Sequence, residues 1–233
     1  MNTPFYKRIF LNLLGIIACT VVGIAPGYCQ DDISDLAAAP DRSTASGDHV
    51  KISWLAPDTF AHGNTEIIGL YFDVDPGWHV YWRNAGDSGA APRFDFRSEN
   101  ASVGEPQWPY PTRLPVAHLT NLGYEGNVAY LFDVKPQTSA QDLSITVDLE
   151  WLVCKVDCIP GFGSMTLSRP QAPAARWQKD DLEIRDYFKA RIPQPGNNTV
   201  LATLKLVNDD KLELRLTQDG LAGSESPEIF PLD

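Results

Sequence analysis

Cys154 and Cys158 lie in the stretch Trp151-Leu152-Val153-Cys154-Lys155-Val156-Asp157-Cys158-Ile159-Pro160-Gly161, where an apolar run gives way to a Pro-Gly breaker. Two thiols so placed can form a disulfide, exchange it with a partner thiol, or bind a soft metal ion. On an extended strand they would stand about 13 Å apart, beyond the roughly 4.4–6.8 Å between Cα atoms that a disulfide spans. A tight loop through Lys155-Val156-Asp157, with the cysteines facing each other across a hairpin end, meets the distance. The ring would enclose about five residues, for which the chain-entropy model gives roughly 2 kcal/mol. That is a small gain for a domain with its own core, and a small ring at a loop tip exchanges readily. The residues alone leave two readings open, a redox pair or a structural staple. In the redox reading the thiolate is the working species. Lys155 favours it and Asp157 opposes it, although a protonated or hydrogen-bonded Asp157 could shuttle a proton. Cys158 is expected to be the attacked sulfur, because Cys154 ends a strand. The C-x-x-x-C spacing, with no βαβ pattern around it, excludes a thioredoxin fold.

The compartment follows from the N-terminus. Lys7 and Arg8 precede an apolar run from Ile9 to Ala25, and Gly27 and Cys29 are small residues before a cleavage point at Gln30. This pattern predicts an export signal over residues 1–29, the alternative being an uncleaved anchor. Of four cysteines, Cys19 and Cys29 fall inside it. The remaining pair, in an oxidising compartment, is expected to rest as a disulfide. The net charge of −11 argues against nucleic-acid binding, which needs clustered Lys and Arg.

The elements that must position the pair are β-strands. Residues 30–47 are rich in Ala, Asp, Ser and Pro and read as a flexible linker. Alternating apolar runs then begin at His49-Val50, Thr65-Glu66, Trp78-His79, Arg93-Phe94, Asn127-Val128 and Leu143-Ser144, separated by turn residues. In the last run Leu143, Ile145, Val147, Leu149 and Trp151 share one face. Phe162 to Ser168 can return antiparallel to it. Pro106, Pro109, Pro111 and Pro115 mark a connection where regular pairing is not expected. The fold class is all-β, an immunoglobulin-like antiparallel sandwich over residues 48–172. A helix within Arg176 to Arg191 and a Pro-rich linker complete residues 173–196. Residues 197–233 hold a hairpin pattern, too few residues to bury a core alone, and read as the start of a second β domain.

Other constellations are weaker. Gly86-Asp87-Ser88-Gly89 resembles a protease serine loop, but there the nucleophile lies far downstream of its His and Asp, and here His49, His62 and His79 all lie within forty residues of Ser88, so it reads as a Gly-rich turn beside the site. The four histidines have no ligand spacing, and each reads as a sheet or surface residue; no metal site or cofactor is expected. Trp78, Tyr81, Trp82 and Trp151 read as core by default. Tyr124 and Glu125, between Gly123 and Gly126, are auxiliary candidates for a loop that shields the cysteines, with Lys155 and Asp157 as auxiliary candidates beside them.

Three segments together carry a resemblance: Gly77-Trp78-His79-Val80-Tyr81-Trp82-Arg83-Asn84-Ala85-Gly86-Asp87-Ser88-Gly89, then Leu122-Gly123-Tyr124-Glu125-Gly126, then Trp151 to Gly161. Over about Asp48 to Pro170 the chain resembles the exported N-terminal domain of the DsbD family of thiol:disulfide interchange proteins. Within it, the likeness is to the branch that includes the membrane protein of the suppressor-of-copper-sensitivity system. The resemblance implies a bacterial periplasmic domain whose Cys154 and Cys158 take electrons from a membrane-embedded or thioredoxin-like donor. It implies that they pass them to oxidised periplasmic proteins, as part of a protein-disulfide reductase system. Membrane association would come only through a partner or a downstream domain. The spacing here is shorter than in better-known members, so only the two cysteines are carried over. The alternative is a non-catalytic binding sandwich with a structural disulfide, including a Cu(I)-binding or copper-tolerance module.

Overall fold

A computed structural model describes residues 43–137, 142–195, 201–208, 211–217 and 228–232. The expected signal segment and most of the expected linker lie outside them. Alternating apolar residues build two facing antiparallel sheets. The first orders β1 (Thr44–Gly47), β2 (Val50–Leu55), β4 (Glu66–Val74), β10 (Val128–Pro136) and β7 (Ala101–Val103) as β1-β2-β4-β10-β7. The second orders β12 (Cys158–Arg169), β11 (Leu143–Cys154), β5 (His79–Gly86), β9 (Leu119–Glu125) and β8 (Thr112–Val116) as β12-β11-β5-β9-β8. β6 (Arg93–Arg97) pairs with β11 alongside β5. Short β3 (Phe60–Ala61) and β13 (Gln171–Ala172) form a parallel pair. The fold is thus the expected immunoglobulin-like β-sandwich.

The core fills the space between the sheets. The predicted face of β11 is buried at every position from Leu143 to Trp151. Phe72 meets Tyr130 and Trp151 edge-on, and Phe94 and Phe96 close over Phe132. Edge-to-face packing of this kind suits the ring quadrupoles. The expected helix is α1 (Lys179–Lys189), shorter than its pattern, with Phe188 buried against Tyr71.

Three expectations fail locally. Thr44–Gly47, placed in the flexible linker, forms β1, because pairing with β2 and burial of Ala45 substitute for an apolar pattern. Pro115, placed in an unpaired connection, sits in β8 opposite Thr120. β8 is an edge strand, where a missing N–H is tolerated. Tyr124 lies in β9 and not in a loop.

β5 departs from regular pairing in a way that matters below. Its ladder with β9 jumps from Tyr81↔Gly123 to Gly86↔Asn121, so the residues between Tyr81 and Gly86 bulge out. The hairpin of β14 (Leu201–Asn208) and β15 (Lys211–Thr217) forms a two-stranded sheet of its own, with Leu204, Leu206 and Val207 exposed.

Candidate functional site

The β11–β12 ladder runs in unbroken register until Cys154 faces Cys158. Their Cα atoms are 4.2 Å apart and a disulfide joins them. That separation belongs to a non-hydrogen-bonded pair, in which side chains approach most closely. Lys155, Val156 and Asp157 close the loop, with the Lys155 N–H donating to the Asp157 carbonyl at 3.3 Å. The two cysteines differ in exposure. Cys154 is 3% exposed, between Cys158 and its β5 neighbour His79, whereas Cys158 is exposed. β12 is the edge of its sheet, and Pro160, in phase with the cysteine pair, points its ring nitrogen outward.

Side chains on β5 complete the site. Val80 and Trp82 enter the core, so His79 and Tyr81 face the other way. The Tyr81 hydroxyl lies 3.5 Å from Cys158 Sγ and 3.3 Å from His79 Nε2. Both residues are buried. Burial holds the His79 imidazole below its ordinary range, while the Glu125 carboxylate on β9 works against that effect. Burial pushes the Tyr81 phenol up. The imidazole and phenol are therefore both neutral at pH 7. From the core side, the Tyr130 hydroxyl donates to the Tyr81 carbonyl at 2.8 Å and fixes the strand.

The structure brings together some of the sequence candidates and not others. Cys154 and Cys158 are joined. Lys155 and Asp157 flank them on the exposed loop; the Lys155 ammonium lies over the turn at Gly77, where a Cβ would stand 3.4 Å from Nζ. Glu125 is exposed and lies opposite His79. Tyr124 faces the core, its hydroxyl donating to the Pro109 carbonyl at 2.6 Å and its ring against Tyr130, so it does not shield the sulfurs. Ser88 donates to Asn121 Oδ1 and not to a histidine. Among the described residues no three His, Cys, Asp or Glu side chains group as a metal site. Sequence reasoning missed His79 and Tyr81 as partners of the sulfur. Their signal was the i, i+2 spacing that puts both on one strand face, but only the β5–β11 pairing shows which face.

Comparisons with known proteins agree with this arrangement. Among solved structures the chain is similar to the N-terminal periplasmic domain of ScsB from Proteus mirabilis, with 21% identity and a TM-score of 0.59, covering 77% of this chain and 69% of that one. At that identity the likeness speaks for the fold. No curated protein matches the sequence. The family model for the N-terminal part of the thiol:disulfide interchange protein DsbD matches residues 52–170, which hold both sheets from β2 to β12 and the cysteine hairpin. With more than half its length so matched, the chain belongs to the DsbD family through this N-terminal domain.

Proposed function

We propose that this domain exchanges disulfides outside the cytoplasm, cycling Cys154 and Cys158 between disulfide and dithiol. The observation that carries the reading is the asymmetry of the pair. An exposed Cys158 sits beside a buried Cys154, with a phenol hydroxyl 3.5 Å from the Cys158 sulfur. In the dithiol form Cys158, as thiolate, attacks a substrate disulfide and forms a mixed disulfide, and one substrate sulfur leaves as thiolate. Cys154 then attacks Cys158 Sγ, closes the ring and releases the second substrate sulfur. The substrate gains two electrons and two protons, and the pair loses both. A dithiol donor, membrane-embedded or thioredoxin-like, reopens the ring by the reverse steps. The Tyr81 hydroxyl donates to the Cys158 thiolate, and neutral His79 donates Nε2–H to the Tyr81 oxygen, so the negative charge meets an aligned pair of donors.

Protein substrates suit the surroundings. Val156 on the loop and Phe162 on the same outward face of β12 as Cys158 are 85% and 69% exposed, an apolar margin for a protein surface. Pro160 removes a donor from the β12 edge, so partners meet side chains there and are not added as a strand.

The test is trapping. A Cys154→Ser variant keeps Cys158 alone and should accumulate a mixed disulfide with an oxidised periplasmic protein mixture, whereas Cys158→Ser should not. Equilibration of the intact pair with a glutathione buffer gives its potential. A value below about −300 mV marks a structural bond and rejects exchange in favour of the binding-sandwich alternative.

A further inference from the structure

The bulge of β5 places a loop on the face of the sheet that carries the cysteines. Gly86 resumes the ladder with a φ of +83°, and a Cβ there would stand 2.5 Å from the Thr120 carbonyl oxygen. Asp87 is bonded to Thr120 twice, its N–H donating to the carbonyl at 3.1 Å and its carboxylate accepting from the Thr120 N–H at 2.8 Å. Ser88 is held by one side chain, Asn121, which is 1% exposed. Asn121 Oδ1 accepts from both the Ser88 N–H at 3.1 Å and the Ser88 hydroxyl at 2.8 Å. Gly89 follows at a φ of +90° and rests on Tyr81: a Cβ there would lie 2.2 Å from Cζ and 2.7 Å from the hydroxyl oxygen. The phenol is thus braced on the Gly89 side, with its hydroxyl between His79 and Cys158.

A buried amide that spends its acceptor on one serine, followed by a glycine in contact with the hydroxyl, has a specific consequence. We infer that Asn121 and Gly89 are positioning residues of the exchange site: Asn121 clamps Ser88, the clamp sets the Gly89 backbone against the phenol, and the phenol hydroxyl is thereby held on Cys158. The inference rests on the exchange reading and deepens it by adding a support that acts through Tyr81. The charged and titratable groups around the Cys158 sulfur are His79 and Tyr81 on β5, Glu125 on β9, and Lys155 and Asp157 in the hairpin loop. None belongs to the clamp, so Asn121→Ala alters no charge at the site.

The experiment follows the pH profile of alkylation of the reduced full chain by iodoacetamide, read as the apparent Cys158 thiol pKa in a Cys154→Ser background. The variants are Asn121→Ala, Ser88→Ala, Gly89→Ala, Tyr81→Phe and the Asn121→Ala/Tyr81→Phe double. Asn121→Ala should raise the apparent pKa and slow alkylation at pH 7 by about tenfold, one pKa unit being a tenfold change in thiolate. Ser88→Ala should act in the same direction but less, and remains informative if Asn121→Ala fails to fold. Gly89→Ala should displace the phenol and match Tyr81→Phe. The double variant should be no slower than Tyr81→Phe alone, because both changes remove one interaction. An unchanged pKa in folded Ser88→Ala and Gly89→Ala, or full additivity in the double variant, overturns the inference. If Tyr81→Phe shifts the pKa and the clamp variants do not, only the clamp fails. If Tyr81→Phe has no effect, the role given to Tyr81 in exchange fails with it.

Discussion

Tyr81 and His79 can be tested one atom at a time. Tyr81→Phe keeps the ring that fills the space under Gly89 and removes only the hydroxyl. A hydrogen bond to a charged acceptor contributes about 1.5–3 kcal/mol, or about one to two pKa units. The Cys158 thiol in Tyr81→Phe should titrate higher by that amount, measured by alkylation rate against pH. His79 makes a separate prediction about folding. Its folded pKa lies below the ordinary 6.5, so as pH falls the unfolded chain binds this proton first. The stability tied to neutral His79 is complete above that ordinary value and is lost as pH drops through the lowered folded one. The Glu125 carboxylate across the ladder moderates the loss. Urea midpoints should fall as pH drops below about 6.5, and His79→Gln should flatten that part of the curve. The buried phenols act at the other end: Tyr124 and Tyr130 are pushed well up by burial, so their share of stability holds below about pH 10 and is lost above it.

The β11–β12 hairpin holds the cysteines opposite each other through its ladder, with the disulfide added to a register that already exists. Cys154→Ala with Cys158→Ala should therefore lower stability by about 2 kcal/mol or less and leave the far-ultraviolet circular dichroism unchanged. Packing beneath the hairpin is less forgiving. Trp151 fills the space under Gly161, where a Cβ would come within 2.1 Å of its ring. Gly161→Ala should lower the urea midpoint by an amount equivalent to about 1–3 kcal/mol. This hairpin was the most legible element in the sequence, since Leu143 to Trp151 alternate strictly, and that run on one side of the cysteines with Ile159-Pro160-Gly161 on the other leaves little room for a helical turn and favours a tight loop. The contact between Tyr81 and Cys158 was not legible. It depends on one cross-strand pair, Cys154 with His79, between residues far apart in the chain. Tyr124 misled for a similar reason: its flanking glycines signal a loop, but tertiary pairing with Val80 holds it in a strand and turns it to the core.

At the scale of the whole molecule, the sandwich has its own core, while Leu204, Leu206 and Val207 of β14 are exposed. We expect residues 197–233 to belong to a second β unit. Residues 228–232 nevertheless touch the sandwich: the Phe230 ring meets Trp82 and lies under the Arg113 guanidinium, and Arg113 and Asn84 donate to the carbonyls of Ile229 and Pro231. A chain ended after Pro195 should keep the fold and its redox chemistry, with a thermal midpoint lower by a few degrees, as loss of about 1–2 kcal/mol of packing implies. Differential scanning calorimetry checks this. Among the described residues no helix is long and apolar enough to cross a membrane.

The bulge between Tyr81 and Gly86 also divides β5 into a part that can absorb length changes and a part that cannot. One residue inserted between His79 and Tyr81 would put these two side chains on opposite faces of the strand, so that one of them would leave the sulfur for the core. One inserted between Trp82 and Ala85 falls where the ladder is already out of step and need only enlarge the bulge. Tolerance to insertion should change sharply within a few residues of one strand, and a library of single-residue insertions would show where chemistry ends and slack begins.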